Sequence, residues 1–299
     1  MKLFAPKYYL DFTCIADKCR HSCCIGWEID IDSETRKKYD NLKCKYSEKI
    51  LESIDESGEP HFRLGEGERC PHLNGSGLCE IIINVGEEYL CDICREHPRF
   101  YNDTACGREV GLGMACEEAC RIILSSDEYS EMVELDEDDG EEIEGEFDAV
   151  SLRKEIYGIL LKPLPYCKRL EILYSRFGVE PGLIDCEHAR VLINSLEYMD
   201  ESHKAMFLNY SSDLIESEKS DKMLERALAY FVYRHCSGAE DYEDFRSSLG
   251  FCFFCERLLS SIVRNADEQR FFELARILSE EIEYSEDNTD LIKSSFPIN

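Results

Sequence analysis

Apolar residues recur at helical spacing through the second half of the chain. Leu224, Ala227, Leu228, Phe231 and Val232 fall at i, i+3, i+4, i+7 and i+8, which places them on one face of a helix. Gly178, Pro181-Gly182, Gly238 and Gly250 punctuate such stretches as loops between packed helices would. The pattern predicts an α-helical bundle over 150–299, with Tyr230, Phe231, Tyr233, Phe251, Phe253 and Phe254 as core rather than a ligand cage. The first part is less regular. Asp32 or Ser33 is a candidate N-cap for a helix running through Thr35, Arg36 and Tyr39. Extended pieces near 61–64 and 80–85 predict a small β hairpin, a helix over 87–96 should stop before Pro98, and another should begin near Ala115 and include Ala119 and Ile122. The expected fold is mainly α: an irregular cysteine-rich N-terminal part with a small β hairpin, followed by an α-helical C-terminal bundle.

Between Ser125 and Phe147 the chain carries Glu134, Asp136, Glu137, Asp138, Asp139, Glu141, Glu142, Glu144 and Glu146 with no Lys or Arg. Such a like-charge block repels itself, so 126–149 reads as an acidic linker or loop between a domain at 1–125 and a helical domain at 150–299. The whole chain of 299 residues has 34 Lys+Arg against 63 Asp+Glu, a net charge of −29. That balance repels phosphate backbones and anionic membrane surfaces and excludes nucleic acid as an expected partner. No apolar run has the length of a signal peptide or a membrane span, so a soluble, cytoplasmic protein without a membrane partner is expected.

Cysteine changes the picture most. Twelve of the seventeen cysteines lie at or before Cys120, in the order Cys14-x4-Cys19-x3-Cys23-Cys24, Cys44, Cys70, Cys79, Cys91-x2-Cys94, Cys106 and Cys116-x3-Cys120. In a reducing compartment such a set reads as thiolate and metal chemistry rather than disulfides, and the odd count argues against complete pairing. Short spacings let thiolates converge on zinc, copper(I) or an iron–sulfur cluster, four of them completing one site. Adjacent Cys23 and Cys24 point apart and should serve different centres, or one should be packing. Cys44, Cys106, Cys167, Cys186 and Cys236 read as isolated small hydrophobes, and Cys252-x2-Cys255, surrounded by phenylalanines, as core. His21, His72 and His97 are each placed to be a ligand or proton relay, though a lone histidine is more often a surface or supporting group.

The motif order resembles the flagellin lysine N-methylase family. The resemblance is carried by Phe12-Thr13-Cys14 through Cys23-Cys24-Ile25-Gly26-Trp27, Cys70-Pro71-His72-Leu73, Gly77-Leu78-Cys79-Glu80-Ile81, Gly86-Glu87-Glu88-Tyr89-Leu90, Cys94, Pro98-Arg99 and Ala115-Cys116-Glu117-Glu118-Ala119-Cys120-Arg121. A weaker likeness returns at Leu228 to His235. The resemblance implies an enzyme that methylates the ε-amine of lysines on flagellin or a similar lysine-rich protein, with S-adenosylmethionine as donor and a [4Fe–4S] cluster. It implies metal ligation at Cys14, Cys19, Cys23, Cys24, Cys70, Cys79, Cys94 and Cys116, without saying which four share a cluster; Cys91 and Cys120 lie outside the shared pattern. The same motifs overlap smaller cysteine-rich proteins described as zinc- or iron-chelating.

Methyl transfer to lysine needs the neutral amine, because an ammonium has no lone pair. Glu117, Glu118, Tyr89 and Tyr101 lie near the cysteine motifs in sequence, and nothing in the sequence singles one out as the base. Glu109-Val110-Gly111-Leu112-Gly113 superficially fits a glycine-rich donor loop but lacks alternating strands and helices around it, so it reads as a turn before the Cys116 helix. Two further readings therefore stand beside the methyltransferase. One is a non-enzymatic zinc- or iron-binding or electron-transfer protein, and the other a zinc-stapled interaction domain.

Overall fold

The computed structural model describes residues 2–135, 147–179, 182, 184–211, 218–264 and 266–296. Its internal contacts separate two compact units, one of Met1–Phe12 with Phe100–Asn299 and one of Thr13–Arg99. The division differs from the one expected at 126–149. Met132–Glu134, from the acidic stretch, is a strand of the larger unit, and the remaining acidic residues 136–146 lie outside the described residues.

In the larger unit four strands form a sheet in the order Arg99–Thr104, Gly107–Leu112, Leu3–Pro6, Met132–Glu134. Leu3–Pro6 runs parallel to Gly107–Leu112, with Phe4 opposite Glu109, and antiparallel to Met132–Glu134, with Ala5 opposite Val133. Gly111 therefore lies in a strand, not in a donor loop or turn. A Cβ there would come within 2.7 Å of the rings of Phe100 and Tyr233, so the glycine is required by aromatic packing.

The helical bundle expected over 150–299 is present. It comprises Ala149–Leu160, Tyr166–Phe177, Cys186–Ser195, Lys204–Phe207, Glu218–Cys236, Tyr242–Ile262, Glu268–Leu278 and Glu286–Ser294. Aspartate side chains cap several starts: Asp148 accepts from Ser151 N, Asp185 from Glu187 and His188, Asp241 from Glu243 and Asp244, and Asp267 from Arg270. Gly178, at φ 64°, closes Tyr166–Phe177 in the left-handed conformation. Tyr242–Ile262 is the central helix. It is buried on all sides through Phe245, Leu249, Phe251, Phe253, Phe254, Leu258 and Leu259, and packs along Glu218–Cys236. Cys252 and Cys255 are fully buried in it, and Cys252 Sγ lies 3.7 Å from Cys236 Sγ, consistent with core packing. Buried charges are paired: Arg153 donates to Glu109 at 2.7 Å, tying the sheet to Ala149–Leu160.

The smaller unit has its own core of Ile29, Ile31, Tyr39, Ile50, Ile54, Phe62, Cys70, Ile81, Leu90 and Cys91. Ser33–Asn41 is the helix expected from Asp32, whose carboxylate accepts from Thr35 N at 2.8 Å. The hairpin is Ile54–Asp55 with His61–Phe62. Glu80–Asn84, expected as an extended piece, is a helix: His72 O receives Glu80 N, Glu80 accepts from Tyr46 and Lys49, and only Ile81 of three consecutive isoleucines is buried. These contacts override the β propensity of the isoleucines. The helix expected over 87–96 is split into a 3₁₀ turn, Glu87–Tyr89, and Asp92–Glu96, with Leu90 and Cys91 extended between them. Side chains of the Ser33–Asn41 helix hold that break open, Tyr39 donating to Tyr89 O at 2.7 Å and Thr35 to Leu90 O at 3.5 Å. Among the described residues of the chain, no helix is long and apolar enough to cross a membrane.

Candidate metal centre

Three short backbone devices bring cysteines from distant parts of the smaller unit to one core. Cys70 N donates to Cys24 O at 2.8 Å and Gly26 N to Glu68 O at 3.1 Å, zipping the first motif to the segment before Pro71. The turn Asn74–Gly77 then returns the chain: Asn74 Oδ1 accepts from Ser76 N at 2.8 Å and Leu78 N at 3.0 Å, and Gly77 takes φ 76°, which favours glycine. The return pairs Leu73 with Cys79. Finally, Asp32 Oδ2 accepts from Asp92 N at 2.9 Å, fixing the backbone just after Cys91, and Cys94 follows one helical turn later, its N–H donating to Cys91 O at 3.0 Å.

Cys70 and Cys91 are thereby buried, and Cys24, Cys79 and Cys94 pack partly buried against the same core. The five thiols sense one another. The thiol hydrogen bond with Cys91, then burial, and then the charges of Cys91, Cys24 and Cys70 push Cys94 upward; burial first, then Cys24, Cys79 and Cys91, push Cys70 up to about 12. Burial followed by Cys24 and Cys91 raises Cys79. Two thiols go the other way. A bond from the Cys23 thiol draws Cys24 down to about 7 against burial, assisted by Ser22 and Arg69. The Cys94 thiol lowers Cys91, again against burial and with help from Tyr39, whose hydroxyl lies 3.6 Å from Cys91 Sγ. Among the described residues no three His, Cys, Asp or Glu side chains stand in a ready-made ion-coordinating arrangement. A metal would therefore have to draw these sulfurs together and deprotonate them, as thiolate sites require. The donor set, sulfur and largely dry, suits zinc or an iron–sulfur cluster.

Of the eight cysteines implied by the resemblance, the structure gathers Cys24, Cys70, Cys79 and Cys94. It adds Cys91, which the shared pattern omits and which the Cys-x2-Cys spacing alone marked. Cys23 is exposed beside Cys24, Cys14 is exposed, and the Cys19 thiol donates to His21 O at 3.0 Å. Cys116 belongs to the larger unit, as the N-cap residue of Glu117–Ser125, and Cys120 is buried there with its thiol donating to Phe272 O at 3.4 Å. Cys44 and Cys106, expected as packing residues, are exposed. His72 is not poised as a ligand. Its Nδ1 is 2.9 Å from Tyr46 Oη and its Nε2 3.0 Å from Ser53 Oγ, and burial holds it neutral at about 4. Those bonds make it a positioning residue for the segment, its own N–H reaching Cys70 Sγ at 3.4 Å.

Comparison with known proteins finds relatives among lysine-N-methylase and FliU proteins. The chain is 27% identical over 128 residues to a lysine-N-methylase of Salmonella typhimurium, covering 40% of this chain and 32% of that protein. It is 28% identical over 130 residues to the lysine-N-methylase of Salmonella choleraesuis, again 40% of this chain and 32% of the relative. It is 27% identical over 128 residues to the flagellar biosynthetic protein FliU of Salmonella muenchen, covering 40% of this chain and 75% of that protein. The matched region thus spans about a third of the length of the two lysine-N-methylases. No family model matches the chain. No solved structure matches it. Over about two fifths of its length, the chain resembles the lysine-N-methylase and FliU proteins.

Proposed function

We propose that this protein is a cytoplasmic protein lysine N-methyltransferase that uses S-adenosylmethionine to methylate flagellin or a similar lysine-rich protein. In this reading four sulfurs drawn from Cys24, Cys70, Cys79, Cys91 and Cys94 hold a [4Fe–4S] cluster, with zinc as the alternative occupant. The observation that carries the proposal is the convergence of these five thiols, from three separate segments, in a chain that resembles named lysine-N-methylases. Two of the five are already biased toward thiolate by their neighbours, which lowers the cost of the deprotonation that metal binding demands. A bound cluster would supply a soft, redox-active centre that fixes the three cysteine segments; this chain's part is to position the sulfurs and exclude water from them.

The test is made on the full chain purified without oxygen. Iron and sulfide near four each per chain, together with a methylated-lysine mass shift on the host's flagellin that requires S-adenosylmethionine, would bear the proposal out. Bound cluster with no methyl transfer to flagellin or any native partner would remove the enzymatic part. A second reading, a zinc- or iron-binding protein without turnover, is favoured by one observation: the match spans only 32% of the lysine-N-methylases' length. Stoichiometric zinc in colourless anaerobic protein, without donor-dependent methylation, is its signature.

A further inference from the structure

The larger unit contains a cavity of about 720 Å³, far from the cysteine motifs in sequence. That size lies within the roughly 300–1,000 Å³ typical of small-molecule sites. The helix Cys186–Ser195 contributes Cys186 and Arg190, one turn apart on the same face, and Glu268–Leu278 contributes Arg270 and Leu274 in the same way. Arg264 enters from the connection between Tyr242–Ile262 and Glu268–Leu278. Among the described residues, three arginines and no carboxylate line this cavity, in a chain whose net charge is −29. Only Arg270 is partnered, by Glu273 at 2.7 Å; Arg190 and Arg264 form no ion pair among the described residues.

The floor adds a second observation. Tyr210 lines the cavity, is 3% exposed, and stacks on Phe254 with ring centroids 5.3 Å apart. Its hydroxyl is buried without a hydrogen-bond partner among the described residues. An unspent buried donor carries a desolvation penalty that is recovered only when an acceptor enters. Met206, Ile262 and Leu274 supply apolar wall. Guanidinium forks, a buried hydroxyl donor and an apolar side are the complement of an organic phosphate.

We propose that this cavity binds a phosphate-bearing small molecule of about nucleotide size. S-adenosylmethionine is a poor fit, since its ammonium and sulfonium outnumber its one carboxylate and three guanidiniums repel the excess. The site is therefore separate from any methyl-donor site, and the inference does not rest on the methyltransferase reading.

The full chain, in magnesium-free buffer, is titrated calorimetrically with ATP, AMP, glucose 6-phosphate and inorganic phosphate. At least one organic phosphate should bind, more weakly as salt rises, and lose about tenfold or more in affinity in the variant Arg190→Gln/Arg264→Gln. Both arginines are exposed, so this variant should keep the parent's thermal midpoint. Should it fail to fold, the two single variants carry the same test. Tyr210→Phe, which keeps the ring and deletes the donor, should weaken binding several-fold. Which phosphate binds tells nucleotide from sugar phosphate. Absence of binding, binding of inorganic phosphate alone, or affinity unchanged in the arginine variants overturns the proposal.

Discussion

Asp32 holds two helix N-termini with one carboxylate. Oδ1 accepts from Thr35 N at 2.8 Å, capping Ser33–Asn41, and Oδ2 accepts from Asp92 N at 2.9 Å, capping Asp92–Glu96 just after Cys91. Replacing it with alanine deletes both caps, each worth about 1 kcal/mol, so the smaller unit should lose about 2 kcal/mol. Replacing it with asparagine leaves one acceptor oxygen and turns the other position into a donor facing an N–H, so the loss should be about half as large. Trp27 is the chain's single tryptophan and belongs to the smaller unit, so its fluorescence follows that unit during urea unfolding. With a urea slope of about 1–3 kcal/mol per molar, the alanine variant should unfold about 0.7–2 M earlier and the asparagine variant midway between it and the parent. The alanine variant should also expose Cys91 and Cys94 to thiol reagents sooner. Coincident midpoints for alanine and asparagine, or an alanine midpoint equal to the parent's, would refute the shared-cap argument.

Cys91→Ser should weaken metal retention far more than Cys44→Ser; with about 10–16 kcal/mol spread over four ligands, one lost sulfur costs on the order of 100-fold in a chelator competition, and equal retention would exclude Cys91 as a ligand. Gly111→Ala forces a methyl group between Phe100 and Tyr233 and should cost about 1–3 kcal/mol, read as an earlier far-ultraviolet circular dichroism midpoint. His235 is held below its ordinary value of about 6.5 by burial, which outweighs the opposing bond and charge of Glu283, while Arg234 and Lys293 also lower it. The unfolded chain therefore takes up a proton near pH 6.5 that the folded chain refuses, so stability is full above that pH and declines as pH falls below it. Urea unfolding followed by circular dichroism at about pH 7.5 and about pH 5.5 should show a smaller acid loss in His235→Asn than in the parent, and an equal loss would remove His235 from the explanation.

Periodicity and capping chemistry made the helices legible. Asp32 announced Ser33–Asn41, and the apolar face of Leu224 to Val232 announced Glu218–Cys236, because both signals are local. The misreadings lie where distant contacts overrule local preference. Glu80–Asn84 is helical because Tyr46, Lys49 and His72 hold Glu80, and the 87–96 stretch breaks because Thr35 and Tyr39 capture the carbonyls of Leu90 and Tyr89. The compact units were also unreadable from composition. The strand Leu3–Pro6 pairs with residues more than a hundred positions later, so the chain's first residues join the sheet of the helical unit while Thr13–Arg99 forms a core between. Cysteine spacing did not tell which thiols share the small core, since that is decided by the Cys24–Cys70 zipper and the Asn74–Gly77 turn, neither of which has a cysteine-based signal.

The composition of the small core explains why its cysteines would serve as ligands in the proposed centre. Its helices are short, of nine, six, five and five residues, and lengths below about twelve are marginal unless packing supports them. Packing there is shared with sulfur: Cys70 and Cys91 are core members and Cys24, Cys79 and Cys94 lie against them. As neutral thiols they act as small hydrophobes, and burial favours that state, holding Cys70 up to about 12. A bound soft cation would reverse the preference by pairing with the thiolates, so metal affinity and the stability of this unit would then be one linked quantity. Metal removal should then lower the urea midpoint seen by Trp27 and leave the circular dichroism midpoint of Tyr242–Ile262 and its neighbours nearly unchanged, because that core is built mainly from aromatic and aliphatic side chains and holds none of the five cysteines of the proposed centre. Loss of both midpoints together would mean that the two units do not unfold independently and that the thiolate site stabilises the whole chain.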